Sequence, residues 1–323
     1  MASRTLITGL GGFAGSHLAE RLLEAGDTVE GTCSPRGDLA HIRHLQDRVV
    51  VHRCDLRSSR ATSEVVRKAR PDVVYHLAAV TFVPEGETDP GNLFETNFLG
   101  TLHLLEAVRR EAPQALFVFI SSSEVYGGVG PEESPITEEH PARPVHAYGL
   151  SKLVAEQLVE MYGKTRGVSA LRLRPFNHIG PRQSDRFVCS SFARQIARIE
   201  SGRQEPVVRA GDLTPIRDFT DVRDMVRGYR LAAERCMPGA LYQIASGTGV
   251  PIGRVLEELL PYAGVPVEVR PDTSRLRKVD IPVLVGDPGK FIAATGWRPR
   301  FRLSETLRDL YRFWKARIAQ EEA

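Results

Sequence analysis

Tyr148 and Lys152 stand four residues apart and are the residues best placed for chemistry in this sequence. The segment around them, residues 146–167, has helical spacing, and side chains at positions i and i+4 of a helix lie on one face. A phenol titrates near ~10 in water, and an ammonium group beside it favours the phenolate. The pair therefore predicts a proton transfer carried out by Tyr148 and assisted by Lys152.

A serine-rich strand end precedes this helix. The segment "ALFVFISSS" is predicted as a strand, and the serines at its end are followed by Glu124. The Ser122 hydroxyl can hold a substrate oxygen beside the tyrosine, and Ser123 is a candidate substrate contact. Glu124 is either a candidate base or an ordinary surface acid.

A glycine-rich turn lies near the start of the chain, between the predicted strand "TLIT" and a predicted helix. Gly9, Gly12 and Gly15 stand three apart, with Phe13 and Ala14 between them. A helix N-terminus offers unpaired N–H groups and a partial positive charge, and glycines let a phosphate approach the backbone closely. A tight turn without a ligand would have the same glycines. The position after the first strand favours a site for a dinucleotide pyrophosphate.

The end of the second predicted strand distinguishes between the two nicotinamide cofactors. NAD enzymes place an acid there for the ribose 2′-OH. Here Ser34 follows the strand and Arg36 comes two residues later, which suits a 2′-phosphate. Glu30 comes too early and Asp38 too late for the acid. The sequence therefore predicts NADP(H), with NAD(H) as the alternative.

The order of predicted elements defines the fold class. Strands and helices alternate through the first half, which predicts an α/β fold with a doubly wound parallel Rossmann sheet. From about residue 176 the pattern becomes irregular, which predicts a smaller, non-contiguous α/β substrate-binding lobe. We expect a cofactor-binding domain over residues 1–175, joined by pieces near 212–245, and a substrate lobe formed mainly by residues 176–323.

Composition restricts the class of protein. The chain has 323 residues and a net charge of +3, with acids and bases interleaved, which does not favour nucleic-acid binding. No apolar run approaches the ~20 residues of a membrane span, and the N-terminus leads directly into a strand. Four scattered cysteines indicate reduced thiols rather than disulfides or a metal site. We therefore expect a cytoplasmic protein without metal, membrane or nucleic-acid partners.

Several motifs together resemble the nucleotide-sugar branch of the extended short-chain dehydrogenase/reductase superfamily. They are "TGLGGFAG", "DL", "HLAA", "TNFLGT", "SSSEVYG" and "YGLSK". The resemblance implies that Ser122, Tyr148 and Lys152 form the catalytic triad and that Lys152 also binds the nicotinamide ribose. Further cofactor-side residues implied by these motifs are Asp55, Leu56, Leu77, Ala78, Ala79 and Asn97. From the residues alone, Asp55 is a candidate for the adenine amino group or a helix cap.

The second half, with "LRPFNHIGPRQS" and "RDFTDVRDMVRGY", is similar to reductases of GDP-4-keto-6-deoxy-D-mannose. This implies NADPH-dependent reduction of the C4 ketone to GDP-D-rhamnose or its C4 epimer, by a homodimer formed through a four-helix bundle of helices 96–112 and 148–163. The implied substrate-side residues are Thr81, Glu85, Asn177, Phe187, Val188, Phe192, Arg217 and Arg277. Core packing would also explain the apolar ones, and a salt bridge to Asp218 or Asp221 would explain Arg217.

Three other functions remain open. Glu124 would serve a GDP-mannose 4,6-dehydratase, and the branch also contains UDP- or dTDP-hexose 4-epimerases. A cofactor-binding regulator would have lost the tyrosine or the lysine. The chain departs from the branch where His146 and Ala147 replace Ser-Pro or Asn-Pro, where Arg182 replaces a glycine and where Lys278 replaces a proline. We expect His146 to be a loop residue without a role.

Overall fold

A parallel sheet with helices on both faces forms the centre of the structure, a computed structural model that describes residues 2–276 and 281–321. The strands are β1 Arg4–Thr8, β2 Thr28–Cys33, β3 Val49–Arg53, β4 Val73–His76, β5 Leu116–Ile120, β6 Ala170–Pro175, β7 Asn177–Ile179, β8 Val207–Ala210, β9 Ile216–Asp221, β10 Leu241–Ile244, β11 Gly249–Pro251, β12 Glu268–Pro271 and β13 Val283–Leu284. The helices are α1 Phe13–Glu24, α2 Ser59–Ala69, α3 Val83–Thr88, α4 Pro90–Phe94, α5 Gly100–Glu111, α6 Ala147–Arg166, α7 Val188–Glu200, α8 Val222–Arg235, α9 Ile252–Leu259, α10 Gly289–Thr295 and α11 Leu303–Gln320.

The strand order of the main sheet creates the binding crevice. Seven parallel strands lie in the order β3-β2-β1-β4-β5-β6-β10, so the direction of winding reverses between β1 and β4. Ligands of doubly wound sheets bind at the carboxyl ends of the strands beside such a reversal. The predicted doubly wound Rossmann-type α/β fold is confirmed by this topology and by the structural relatives described below.

Alternating side chains of each strand supply two cores, one on each face of the sheet. On β1, Ile7 faces the core shared with α1 and α8, and Leu6 faces the core shared with α2, α5 and α6. Because both faces are covered, the strands are apolar almost throughout. This is why "TLIT" and "LFVFI" could be identified from sequence.

The second half builds a smaller lobe beside the carboxyl edge of the main sheet. Strands β7, β9, β11 and β13 form one small sheet, and β8 pairs with β12. Helices α7, α9 and α11 share a core that includes Phe192 and Trp314. The sequence had shown only short segments here. Ser190 and Ser191 weaken the helical signal of α7, because serine does not favour helix interiors.

Two features of the chain's middle matter for the site. Helix α4, a π-helical turn at Glu95–Leu99 and α5 run on from one another, and π turns often mark functional positions. Strand β10 joins the main sheet beside β6, and α8 packs against α1.

Among the helices that the structure describes, none has the length and apolar character that crossing a bilayer requires.

Candidate active site

The glycine turn forms an open helix N-terminus at the reversal point. Gly9 has a φ of +75°, and a Cβ at Gly15 would collide with the carbonyl oxygen of Gly9. Helix α1 starts after Gly12 with no side-chain cap and no acid in its first turn. The N–H groups of that turn are therefore available to an anion, which fits the pyrophosphate of a dinucleotide. Phe13 and Ala14 lie in this turn.

Asn97, in the π turn, connects the loop after β4 to the catalytic helix. Its Oδ1 accepts a hydrogen bond from the Val80 N–H at 2.8 Å, and its Nδ2 donates to the Val80 carbonyl at 3.0 Å. Nδ2 also donates to Ser151 Oγ at 3.0 Å, and Ser151 lies between the tyrosine and the lysine on α6. Asn97 therefore fixes the backbone that follows Leu77, Ala78 and Ala79 relative to the catalytic helix.

His76, at the end of β4, extends this network beneath the crevice. Thr101 Oγ1 donates to the Asn97 carbonyl at 2.6 Å and so accepts from His76 Nε2, 2.9 Å away. Nδ1 of His76 then accepts from Thr8 Oγ1 at 2.7 Å, and Thr8 accepts from the Ala78 N–H at 3.1 Å. Burial lowers the pKa of His76 to about 3, so the ring is neutral.

Tyr148 and Lys152 are both buried on α6 at the carboxyl end of β5. The Ser122 hydroxyl lies beside the Tyr148 phenol and lowers the pKa of that phenol by hydrogen bonding. Burial outweighs this effect and, together with the charge of Glu124, raises the pKa of Tyr148 to about 12. Lys152 Nζ lies 4.5 Å from the centre of the Phe119 ring.

The side chain of Lys152 does not keep the ordinary pKa of a lysine. Burial lowers its own pKa to about 7, and the carboxylate of Glu156, one turn further along α6, opposes that shift. The pKa of the Tyr148 phenol is nevertheless raised, because burial outweighs the hydrogen bond with Ser122, so the lowering expected from Lys152 is not seen. In the protein without ligands Tyr148 is therefore a protonated acid at neutral pH.

His146 has three defined contacts, which contradicts its expected lack of a role. Its Nδ1 accepts from the Gly149 N–H at 3.0 Å, which caps α6. Its Nε2 lies 2.9 Å from Glu124 Oε2, and its ring stacks on Tyr148 with an interplanar angle of 14°. The Glu124 N–H donates to Ser122 Oγ at 3.2 Å. Neither Glu124 nor His146 is a freely solvated surface residue.

The two carboxylates nearest the end of β2 both have protein partners. Glu30 Oε2 lies 2.6 Å from His52 Nε2, and the Asp38 carboxylate accepts from the Ala40 N–H. Ser34 and Arg36 are exposed just beyond the strand.

Arg53, at the end of β3, is a residue that the sequence analysis missed. It donates to the Ser34 carbonyl at 3.2 Å and to the Gly37 carbonyl at 2.5 Å, so it holds the loop that carries Arg36. In the sequence, the only sign of a role for Arg53 was that it is a cation at the end of the third predicted strand.

Asp55 and Leu56 follow β3. The Asp55 carboxylate accepts from the backbone N–H and the guanidinium of Arg57, and these contacts lower its pKa. The cap of α2 is Ser58, which accepts from the Ala61 N–H. Asp55 is therefore not the helix cap, and Leu56 is buried below it.

The residues expected to contact substrate divide into three groups. Ser123 is buried beside Ser122, and Thr81 and Val188 are exposed near the crevice. Phe192 lies in the core of the small lobe. Arg277 and Lys278 lie outside the described residues, so their predicted contribution stays a prediction.

A bridge of side chains crosses from the loop after β4 to the small lobe. Arg186 pairs with Glu85 at 2.7 Å and lies over the Phe82 ring, 4.0 Å from its centre. Phe82 packs edge-on against Phe187, with ring centres 5.9 Å apart. Phe187 and Glu85 are thus brought together at the crevice, although they are far apart in sequence.

Within the described part of the chain, two of the buried polar atoms without a hydrogen-bond partner lie on or next to strands near the crevice. Ser121 Oγ, at the end of β5, and Asn177 Oδ1, on β7, are buried and have no hydrogen-bond partner among the described residues. Such atoms are costly unless a ligand or water satisfies them. The unpaired atoms and the open end of α1 fit a bound nicotinamide dinucleotide and its substrate.

Arg217 and Asp218 lie next to each other on β9. The Asp218 carboxylate accepts from Ser246, Gly247 and Gly286, while Asp221 binds Arg223 and Thr306. Arg217 is buried and donates to the Ile216 carbonyl at 3.0 Å.

Arg182 has a φ of +76°, in the left-handed region that favours glycine. Its guanidinium binds Ser16 Oγ and Glu20 on α1, so this side chain ties the small lobe to the first helix.

We predict that acid destabilises the protein through its buried histidines. Burial lowers the pKa of His17 to about 4, below ~6.5 for the unfolded chain. The unfolded chain takes up the proton first, so the fold loses stability as the pH falls from about 6.5 toward 4. His17→Gln keeps a donor for the Pro181 carbonyl, which His17 Nε2 contacts at 2.9 Å, and removes the titration. Thermal unfolding at several pH values should show a shallower decline for this variant, and an equally steep decline would contradict the assignment.

Nicotinamide-dependent oxidoreductases of the short-chain type have such a crevice, together with a glycine turn and a buried Ser–Tyr–Lys group. A family model described as GDP-mannose 4,6 dehydratase matches residues 6–310, and the chain belongs to this family. It is 36% identical over 321 residues to GDP-6-deoxy-D-mannose reductase of Pseudomonas aeruginosa, a match that covers 99% of this chain and 100% of that relative.

Two solved structures resemble this chain over nearly its whole length. The structure of RMD from Pseudomonas aeruginosa complexed with NADPH has a TM-score of 0.84 at 35% identity and covers 97% of this chain and 99% of that one. The UDP-glucose 4-epimerase of Thermus thermophilus in complex with NAD has a TM-score of 0.86 at 31% identity, with coverage of 97% and 99%. The predicted superfamily is confirmed, and the chain is a nicotinamide-dependent oxidoreductase.

Proposed function

We propose that the protein reduces the C4 ketone of GDP-4-keto-6-deoxy-D-mannose to GDP-D-rhamnose, or to its C4 epimer, with NADPH. The observation that carries the proposal is the pair of neighbouring hydroxyls of Tyr148 and Ser122, both buried, which can hold the oxygen of a ketone and supply its proton. Ketone reduction needs a proton donor at the forming alkoxide. An alcohol oxidation would need the phenolate as base.

The residues divide the work of reduction between them. Ser122 and Tyr148 hold the ketone oxygen, and Tyr148 donates its proton to that oxygen. Lys152 lies one turn further along α6. Its positive charge stabilises the phenolate that forms when Tyr148 gives up its proton. A bound nicotinamide supplies the hydride. The contribution of the chain is mainly positioning together with an acid at the correct atom.

NADPH is favoured over NADH by the end of β2. Glu30 and Asp38 each have a protein partner, and Arg53 holds the loop that carries Ser34 and Arg36, so these three residues would bind a 2′-phosphate. The NADPH bound to the Pseudomonas aeruginosa structure supports this choice. The pyrophosphate of the cofactor would bind at the N-terminus of α1, and its adenine would bind at Asp55.

Arg36→Ala should weaken NADPH binding about tenfold to a hundredfold, since a hydrogen bond to a charged group contributes ~1.5–3 kcal/mol. NADH binding should change little. Titration calorimetry with both cofactors measures the effect, and Arg67→Ala, at an exposed arginine near the end of α2, is the matched control. Equal loss for both cofactors would remove Arg36 from the 2′-phosphate site.

A GDP-sugar substrate is supported by the name of the Pseudomonas aeruginosa relative. We assign the sugar and diphosphate to the unpaired Asn177 Oδ1, to Arg217 and to Arg277. The nucleoside then lies toward Phe187 and Val188, and Thr81 and Ser123 contact the sugar. Phe192 supports this wall from the core of the lobe.

Dehydration of GDP-mannose is the second candidate, because Glu124 is a carboxylate within the site and the family carries that description. One experiment separates the two functions. NADPH oxidation is followed by absorbance with the keto sugar and, in parallel, with GDP-mannose alone. We expect rapid oxidation only with the keto sugar. Formation of a keto sugar from GDP-mannose without net NADPH consumption would favour the dehydratase, and product NMR gives the C4 configuration.

We also propose a homodimer formed through α5 and α6. Leu150 and Met161 lie eleven residues apart on one face of α6 and are 44% and 41% exposed. Leu150→Glu should give a monomer at micromolar concentration, whereas Val265→Glu, at an exposed valine of the small lobe, should leave the dimer intact. Light scattering measures both. A monomeric unsubstituted protein would contradict the proposal.

A further inference from the structure

The side chains of Glu124 and His146 contact each other at the edge of the catalytic group. Their side chains are 12% and 8% exposed, with 2.9 Å between Glu124 Oε2 and His146 Nε2. The Gly149 N–H donates to Nδ1, so Nδ1 carries no proton. The proton of the neutral ring is therefore on Nε2, which donates to the Glu124 carboxylate. The backbone of Gly149 packs so closely on Glu124 that a Cβ at Gly149 would lie 2.5 Å from the Glu124 carbonyl oxygen.

The charge of this carboxylate acts on the Tyr148 phenol and the Glu124 backbone contacts Ser122, so Glu124 lies beside the place proposed for the ketone. The Glu124 N–H donates to Ser122 Oγ at 3.2 Å, and the His146 ring stacks on Tyr148 with centres 6.1 Å apart. Ser122 and Tyr148 are the two hydroxyls that hold the ketone oxygen under the proposed function. Hydrogens on the carbons beside a ketone are acidic, and a free carboxylate beside that ketone is a suitable base for them.

We propose that His146 is a specificity-determining residue that holds the Glu124 carboxylate through Nε2–H and so keeps it from removing a proton beside the substrate ketone. This inference rests on the proposed function, because it concerns the same bound keto sugar. It explains how a site that contains both an acid and a carboxylate can reduce a ketone without scrambling the neighbouring carbon.

The step that His146 suppresses is an enolisation. The Glu124 carboxylate would take the proton from the carbon beside the ketone, and the C–H electron pair would form a C=C bond. The carbonyl π electrons would move to the oxygen, which would take the Tyr148 proton. Reversal in D₂O places a deuteron on the carbon, so the step is measured as deuterium uptake without net oxidation or reduction.

Two substitutions separate the contacts of His146. His146→Asn retains an oxygen at the position of Nδ1 for the Gly149 N–H, and asparagine is a good helix cap, but it loses the donor to Glu124. His146→Gln retains an N–H donor toward Glu124 and loses the cap. Each holoenzyme is incubated in D₂O with GDP-4-keto-6-deoxy-D-mannose and NADP⁺, which cannot reduce the ketone, and deuterium uptake is followed by mass spectrometry.

We expect His146→Asn to exchange the proton at least tenfold faster than the unsubstituted enzyme. His146→Gln should exchange at the unsubstituted rate with a lower melting temperature. Adding Glu124→Gln to His146→Asn should return exchange to the unsubstituted rate. The proposal is overturned if His146→Asn exchanges no faster, or if its faster exchange survives Glu124→Gln.

A second measurement does not depend on the keto sugar. In ¹⁵N spectra of histidine-labelled holoenzyme, the resonances lost in His146→Asn identify His146. They should show a protonated Nε2 and an unprotonated Nδ1 at neutral pH. Protonation at Nδ1 would overturn the proposal even if the substrate differs. Failure of the proposed function shows separately, as an unsubstituted enzyme that does not oxidise NADPH with the keto sugar.

Discussion

Tyr148→Phe should lower kcat/KM for the keto sugar about a thousandfold, because positioned acids contribute roughly 10²–10⁴ to rate. The substitution removes only the hydroxyl, and the ring keeps its buried place against His146. Under the proposed function NADPH is bound by the glycine turn and the end of β2, so its Kd should stay within about twofold. Steady-state kinetics and fluorescence titration measure the two quantities.

The matched control is Tyr162→Phe on the same helix. Its hydroxyl donates to Glu106 Oε1 at 2.8 Å, far along α6 from the catalytic group. We expect kinetics close to those of the unsubstituted enzyme. A Tyr148→Phe enzyme with more than a tenth of normal activity would mean that another group donates the proton.

Arg174→Leu should destabilise the fold by about 3–5 kcal/mol, the cost of leaving a buried charge without its partner. Arg174 and Glu156 are 5% and 2% exposed and form two hydrogen bonds, at 3.0 and 2.7 Å. The pair joins β6 to α6 one turn beyond Lys152, so its loss also affects the lysine. Denaturant unfolding measures the change in free energy.

Two further variants test the cause of that loss. Arg174→Leu combined with Glu156→Leu removes both charges and should recover most of the stability. Lys164→Ala breaks an exposed pair with Glu160 on the same helix and should cost less than about 1 kcal/mol. If Arg174→Leu also costs less than about 1 kcal/mol, the pair does not hold α6 on the sheet.

Sequence reasoning was most successful where one strong local pattern dictated structure. The glycines fixed the turn between β1 and α1, because collision at Gly15 and the positive φ of Gly9 exclude larger residues. Apolar runs identified the buried strands of the parallel sheet. The i, i+4 spacing placed Tyr148 and Lys152 on one helix face.

The contacts that sequence could not supply are those between distant segments. His146 gains its roles only when β5 brings Glu124 beside the start of α6. Arg53 reaches the loop of Arg36 because β3 pairs with β2. The pKa of Tyr148 depends on burial, which spacing does not reveal, so the effect of Lys152 was overestimated. The sequence showed that Arg182 replaces a glycine, but not that it adopts a positive φ and binds Ser16 and Glu20.

Hydride transfer to the sugar is tested most directly with NADPH deuterated at the transferring position of the nicotinamide. The enzyme is given this cofactor and GDP-4-keto-6-deoxy-D-mannose, and the product is examined by NMR and mass spectrometry. The account predicts one deuterium per product, bonded to C4 of the hexose. A product without deuterium, or a hexose that carries it at another carbon, would contradict reduction of the C4 ketone.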